Sequence, residues 1–201
     1  MIKVIDSVFE DSSILLPIHK DAFFDYQNVK LGSIYIRKFI QYFIKSEDAI
    51  CFTAFSDGEI MGYVCGAPIG YNQDMVKKLW FPAFIGVITN PKLIFDVQII
   101  HTIKLKISSF IHPKSMKKEL NLPTGIGVSL VSICTKRNSG IKGVGTELII
   151  QFEKKARQRQ FDFMRLSVKK ENKSAIHFYE NNGWQYLSDS SSEVIYLYKN
   201  I

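Results

Sequence analysis

Apolar side chains recur along this chain with two different periods, and each change of period marks a new element. Ile2-Lys-Val-Ile5 is short and apolar enough for a first strand. Leu15, Ile18, Ala22 and Tyr26 repeat at helical spacing, as do Ile36, Phe39, Ile40 and Phe43, so amphipathic helices are predicted over 13–27 and 32–45. Ile50–Phe55 and Ile60–Cys65 are rich in β-formers and are joined by Ser56-Asp57-Gly58-Glu59. Asp-Gly tolerates positive φ at both central positions, which predicts a hairpin. From residue 127 the pattern is regular again. Val128–Cys134 reads as a buried strand and 138–143 as a glycine-rich loop. Val144, Leu148, Ile149, Phe152 and Ala156 give one face of a helix over 144–160. Met164, Leu166 and Val168 alternate with Arg165, Ser167 and Lys169, a strand with one buried face. Asn172 can cap a helix carrying Ala175, Phe178, Tyr179 and Asn182, and Gly183 can end it. Strands near 184–188 and 193–199 close the chain.

Residues 72–121 break this order. They hold eight lysines against Asp74, Asp96 and Glu119, contain no arginine and show no strand alternation. The segment reads as a helical insertion, broken near Pro82, Asn90-Pro91 and His112-Pro113. It could serve as a lid, a dimer surface or an extra layer on the core. The chain, 1–201, is therefore read as a single α/β domain with a helical insertion at about 72–121.

Composition narrows the class without naming a chemistry. With 46% hydrophobic and 22% charged residues the chain is an ordinary globular one, not a disordered one. The net charge of +7 suits an anionic ligand and does not choose among nucleotide, coenzyme, nucleic acid and membrane surface. Cys51, Cys65 and Cys134 lie far apart and form no CxxC pair, so neither a zinc site nor a disulfide framework is indicated. The longest apolar run, 79–88, contains Pro82 and Gly86 and is too short to span a bilayer. Buried thiols, a charged start and no spanning segment predict a cytoplasmic protein.

The chemistry is carried by Ile133-Cys-Thr-Lys-Arg-Asn-Ser-Gly140-Ile-Lys-Gly143-Val-Gly145-Thr146. Strand, glycine-rich loop and helix follow in that order. Such a loop can turn backbone amides toward one point, where the helix N-terminus adds partial positive charge, which makes a pyrophosphate cradle that needs no metal. Gly145 is followed by Thr146-Glu147, which excludes a P-loop, and the spacing G-x-x-G-x-G is not the dinucleotide fingerprint. A glycine-rich connection with no ligand would share these residues.

Lys142-Gly143-Val144-Gly145-Thr146 resembles the coenzyme-A loop of the GNAT acetyltransferase superfamily, (Arg/Gln)-x-x-Gly-x-(Gly/Ala). Gly140 stands where that pattern has Arg or Gln. Asn172-Lys-Ser-Ala175-Ile-His-Phe178-Tyr179-Glu-Asn-Asn-Gly183-Trp184 is similar, without a gap, to the superfamily's second signature, Asn-x-x-Ala-x-x-Phe-Tyr-x-x-x-Gly-(Phe/Trp). The resemblance implies a mixed central sheet flanked by helices, an acyl-CoA co-substrate and no metal. It implies that the backbone of Ile133, Cys134 and Thr135 pairs with the pantetheine arm. Amides of Ile141, Lys142, Gly143, Val144, Gly145 and Thr146 would hold the pyrophosphate, Asn172 would contact the coenzyme, and Phe178 would pack beside it. Tyr179 would protonate the departing thiolate, a task that suits a phenol near pKa 10.

The acceptor side is less explicit. In this superfamily the first helix borders the acceptor, which makes His19 the candidate base and Phe23 and Tyr26 candidate substrate contacts. A packed histidine with no catalytic part fits His19 equally. His177 is expected to face elsewhere, and His101 and His112 are weaker candidates. Cys134 is read as structural, with direct attack and no acyl-enzyme. The layout is similar to GNAT proteins of bacterial surface-polysaccharide synthesis, which implies as acceptor the primary amine of a nucleotide-linked amino-deoxy sugar, with an acetyl or small hydroxyacyl donor. Lys77, Lys78, Lys114, Lys117 and Lys118 are candidate diphosphate partners, though solvated lysines look the same. The alternatives are acetylation of protein N-termini, lysines or small amines, and a non-enzymatic coenzyme-binding or nucleic-acid-binding protein. Glu153–Arg159 carries charge expected on any polar helix face, and no nucleic-acid motif accompanies it. The expected partners are thus a small amine, no nucleic acid, no membrane insertion, and a homodimer as an option left open by the apolar insertion.

Overall fold

A computed structural model of the chain describes residues 1–96, 122–187 and 193–201. Seven strands form one sheet: β1 (Ile2–Asp6), β2 (Ile50–Ser56), β3 (Glu59–Pro68), β4 (Gly127–Thr135), β5 (Phe163–Lys169), β6 (Gln185–Tyr186) and β7 (Val194–Asn200), in the order β1-β2-β3-β4-β5-β7-β6. Every pairing is antiparallel except β4 with β5. The β2–β3 hairpin turns through Asp57 and Gly58, both at positive φ, as the Asp-Gly pair requires.

Helices cover both faces. On one lie α5 (Val144–Gln158) and α6 (Lys173–Asn181), and on the other α1 (Asp11–Ala22), α3 (Gly32–Lys45) and α4 (Asn72–Thr89), with a single turn α2 (Gln27–Lys30) between α1 and α3. The apolar stripes read from the sequence are the ones buried. Val144, Leu148, Ile149, Phe152 and Ala156 pack with Met164, Leu166 and Val168 in one core. Ile36, Phe39, Ile40 and Phe43 pack with Leu15, Tyr63 and Cys65 in the other. Each fully buried Leu, Ile or Phe contributes roughly 1.5–3 kcal/mol relative to exposure.

Three expectations need correction. The first helix spans Asp11–Ala22 and not 13–27. It starts earlier because Asp11 accepts the Val8 amide at 3.0 Å and the Thr53 hydroxyl at 2.8 Å. Beyond its end, Phe24 lies under Arg137 and Asp25 pairs with Lys169, contacts described below. Second, Pro82 does not break the insertion's first helix, which runs unbroken through it. Met75, Leu79, Pro82 and Gly86 form its buried stripe, and that packing outweighs the roughly 3 kcal/mol a mid-helix proline costs. Gly86 has a sharper reason, since a Cβ there would strike the Leu31 carbonyl at the start of α3. Third, the strand expected at 184–188 is only two residues long. The break at Asn90-Pro91 does occur, leading into a 3-10 turn over Pro91–Phe95. The rest of the insertion, with His101, His112, His112-Pro113, Lys114, Lys117 and Lys118, lies outside the described residues.

Two irregularities create the site. Cys65 pairs with Ser132 but Gly66 pairs with Leu130, so Val131 is a bulge in β4. In addition, β4 and β5 pair over only three positions, Gly127↔Phe163, Val128↔Met164 and Ser129↔Arg165. Beyond Ser129, β4 runs on to Thr135 without β5 beside it, and a cleft opens between the two strand ends.

Candidate active site

On the α5 side of the cleft, three predicted residues converge. A Cβ on Gly145 would lie 3.3 Å from the Phe178 ring and 4.0 Å from the Thr135 methyl. The end of β4, the start of α5 and the middle of α6 therefore meet at one glycine. Gly143 occupies the N-cap of α5 at φ 87°, the left-handed region, and no side chain caps the helix. The first-turn amides of Val144, Gly145 and Thr146 thus have neither an intrahelical acceptor nor a side-chain cap, and they sit where the helix dipole is positive. Ile141 directs its amide to the Ser139 hydroxyl at 3.3 Å. The same arrangement leaves Lys142 exposed and Ile133 half-buried, with Cys134 packed in the opposite core.

Asn172 caps α6, its side-chain oxygen accepting the Ala175 amide at 3.1 Å. Tyr179, two turns on, is buried between the Phe178 ring at 5.4 Å and the Trp184 ring at 5.8 Å. Burial holds its phenol well above the usual range, and nearby Tyr26 adds to the effect, so it stays protonated at any physiological pH. His177 points to solvent beside Glu180.

The α1 side holds the other predicted residues. His19 is 1% exposed, its Nδ1 2.7 Å from the Tyr63 hydroxyl, which in turn donates to Ser132 Oγ at 3.2 Å. Nε2 is buried and has no hydrogen-bond partner among the described residues. Phe23 lies 4.7 Å from the imidazole and meets Tyr26 edge-on at 5.1 Å. The end of α1 and the turn over 23–26 then straddle the cleft. Arg137, just past β4, pairs with Asp21 at 3.5 Å and stacks on Phe24. Lys169, ending β5, pairs with Asp25 at 2.6 Å and covers the Tyr26 ring at 4.3 Å. Tyr26 also interacts with the Asn172 side chain, joining the strap to the cap of α6. These exposed pairs are individually worth under about 1 kcal/mol, but together they fix where the strap lies.

Burial lowers the His19 imidazole from 6.5 to about 4. The unfolded chain takes up a proton near pH 6.5 and the folded one only near 4, so this residue's stability is present above pH 6.5 and is lost as pH falls toward 4. The full loss is roughly 3 kcal/mol. Urea unfolding at pH 7 and 4.5 should show wild type losing about 2–3 kcal/mol more than His19→Gln. An equal loss in both proteins would contradict the buried neutral state.

Sequence reasoning missed Tyr63, Ser132 and the strap's cations. Tyr63 and Ser132 looked like ordinary strand residues, and only the bulge at Val131 and the cleft give them meaning. Arg165 and Lys169 were legible as the polar face of β5, but nothing indicated that this face borders a gap.

Residues 118–184 match the sequence model of the Acetyltransferase (GNAT) family, a span that contains both motifs and the cleft strands. The matched segment is a third of the chain, and the fold around it is the GNAT fold. Solved structures agree on this GNAT architecture from end to end. The PaiA N-acetyltransferase from Thermoplasma acidophilum, in complex with coenzyme A, superposes with TM-score 0.63 at 14% identity, over 100% of this chain and 99% of that one. The Escherichia coli ribosomal-protein-S18-alanine N-acetyltransferase gives 0.60 at 11% identity, over 100% and 94%. The Drosophila melanogaster polyamine N-acetyltransferase gives 0.64 at 9% identity, over 100% of both. No curated protein sequence matches the chain. Among the described residues of this GNAT fold, no helix is long and apolar enough to cross a membrane, and no group of His, Cys, Asp or Glu could hold a metal ion.

Proposed function

We propose that the chain transfers an acetyl or small hydroxyacyl group from acyl-CoA to the primary amine of a nucleotide-linked amino-deoxy sugar. The observation that carries the donor half is the uncapped α5 N-terminus at Gly143, set against Thr135 and Phe178 at the lip of the cleft. In this reading the amides of 142–146 bind the pyrophosphate, that of Ile141 joining them on release from Ser139, and the backbone of Ile133–Thr135, freed from β5, pairs with the pantetheine arm. Phe178 packs on that arm, and an amide of β4 stabilises the oxyanion as the amine attacks. Tyr179, kept protonated, donates to the leaving sulfur. The nitrogen lone pair forms the new C–N bond as the C–S bond breaks, and the amine gives up its proton. Phe23 and Tyr26 contact the acceptor.

His19 belongs to this reading as the candidate base, carried on α1 against Tyr63 of β3. In the tautomer with its proton on Nδ1, the neutral imidazole offers Nε2 as an acceptor to the amine, which must be uncharged to attack. An imidazolium of pKa about 4 holds a proton too weakly to store it, so the proton passes on to solvent.

The test is an acceptor panel with free-thiol detection: nucleotide-linked amino sugars, free amino sugars, peptides with free N-termini, and polyamines. Turnover is expected on the nucleotide-linked amino sugars. Turnover confined to peptides would overturn the sugar assignment, and an absence of coenzyme-A binding would overturn the donor half.

A further inference from the structure

We propose that Arg165 is an anion site on the acceptor side of the cleft, holding a carboxylate or phosphate group carried by the amine that is acylated. This rests on the acyltransferase reading above and narrows its acceptor.

The argument begins with strand alternation. Met164 and Leu166 face α5 and α6 in the first core, so Arg165 between them faces the side of α1 and α3. Arg165 also forms, with Ser129, the last pair before β4 and β5 separate. It therefore stands at the floor of the cleft, on the face where His19, Tyr63 and Phe23 lie. It is half-buried, with Tyr71 and Tyr196 as electrostatic neighbours.

Its bonding is incomplete. Nε donates to Ser129 Oγ at 3.1 Å. Among the described residues the guanidinium has no carboxylate ion-pair partner, and Nε to Ser129 is its one hydrogen bond, which leaves its other N–H donors open to solvent or a ligand. A cation partly withdrawn from water without a counter-charge loses some solvation with nothing to offset it. Burial lowers the Arg165 pKa from its ordinary value, which reflects that cost. The strap's carboxylates are not available to relieve it, since Asp21 is paired with Arg137 and Asp25 with Lys169. Lys169 lies on the same face of β5 as Arg165, four residues or about 13 Å along, so the β5 wall is basic at both ends.

A planar guanidinium with free donors matches a carboxylate or phosphate by two parallel hydrogen bonds. The same charge repels a polycation. The site thus favours an acceptor that couples its amine to an anionic group and disfavours polyamines.

The experiment has a binding arm and a kinetic arm. Inorganic pyrophosphate is titrated calorimetrically into protein saturated with coenzyme A, so that the α5 N-terminus is already occupied. Wild type, Arg165→Lys and Arg165→Met are compared. Separately, kcat/KM is measured for two matched pairs, glucosamine 1-phosphate against glucosamine and alanine against alaninamide. Wild type should bind pyrophosphate and prefer the anionic member of one pair, and that pair distinguishes phosphate from carboxylate. Arg165→Met should weaken pyrophosphate and reduce the preference by at least about thirtyfold, with Arg165→Lys retaining part of both. Coenzyme-A binding reports whether each variant is folded. If Arg165→Met does not fold, Arg165→Lys decides, since loss of bidentate contact alone should still weaken the anion severalfold. Equal pyrophosphate affinity in all folded forms, or no anionic preference in wild type, would overturn the site. Failure of wild type to bind coenzyme A would overturn the acyltransferase reading instead, and the pyrophosphate titration on the free protein would still read Arg165.

Discussion

Tyr179→Phe should lower kcat about a thousandfold and leave coenzyme-A affinity within about twofold of wild type. The ring is wedged between Phe178 and Trp184, and phenylalanine preserves both contacts, so the fold and the donor pocket survive. What disappears is a single hydroxyl. If that hydroxyl protonates the departing sulfur, its removal costs the range typical of a positioned acid, roughly two to four orders of magnitude. The raised phenol gives a second signature. Because it does not ionise below the usual tyrosine range, wild-type kcat should show no descending limb from this group up to about pH 10. Stopped assays of thiol release beside calorimetric titration with coenzyme A separate turnover from binding. Unchanged kcat would remove Tyr179 from the acid role.

Gly143→Val should weaken coenzyme-A binding by about a hundredfold. A β-branched residue is strained at φ 87°, by roughly 1–3 kcal/mol, and relieving the strain rotates the amides that open α5. Each mis-aimed donor forfeits a charge-assisted hydrogen bond worth about 1.5–3 kcal/mol. The nearest foreign atom to a Cβ at this position is the Ile2 methyl at 3.9 Å, so crowding is not the cause. Gly143→Asn, which accepts positive φ more readily, should recover most of the loss. Full affinity in the valine variant would contradict the assigned cradle.

The residues of the proposed donor half were legible in the sequence because they are local. Strand, glycine loop and helix start are contiguous between Ile133 and Thr146, and Asn172, Tyr179 and Gly183 sit on one short helix with a recognisable cap and end. The acceptor half was legible only in outline. His19, Phe23 and Tyr26 were visible as candidates on a helix, but the helix ends at Ala22, and Arg137 and Lys169, more than a hundred residues away, hold its end and the following turn across the cleft. Tyr63 meets Ser132 only because Val131 bulges out of β4. Arg165 becomes distinctive only where parallel pairing stops. Such features depend on long-range register, which local periodicity does not encode. Pro82 misled for the same reason, since its helix is held by tertiary packing against α3.

The three-pair seam between β4 and β5 also has a mechanical consequence. Two blocks, one of four strands and one of three, are stitched along a short line, with backbone hydrogen bonds given up everywhere else between them. Under the proposed function the two reactants meet across that gap and need share no wall except the seam. Under the proposed function, side chains on one side of the gap can therefore change to suit a new amine while the main-chain contacts on the other side stay as they are.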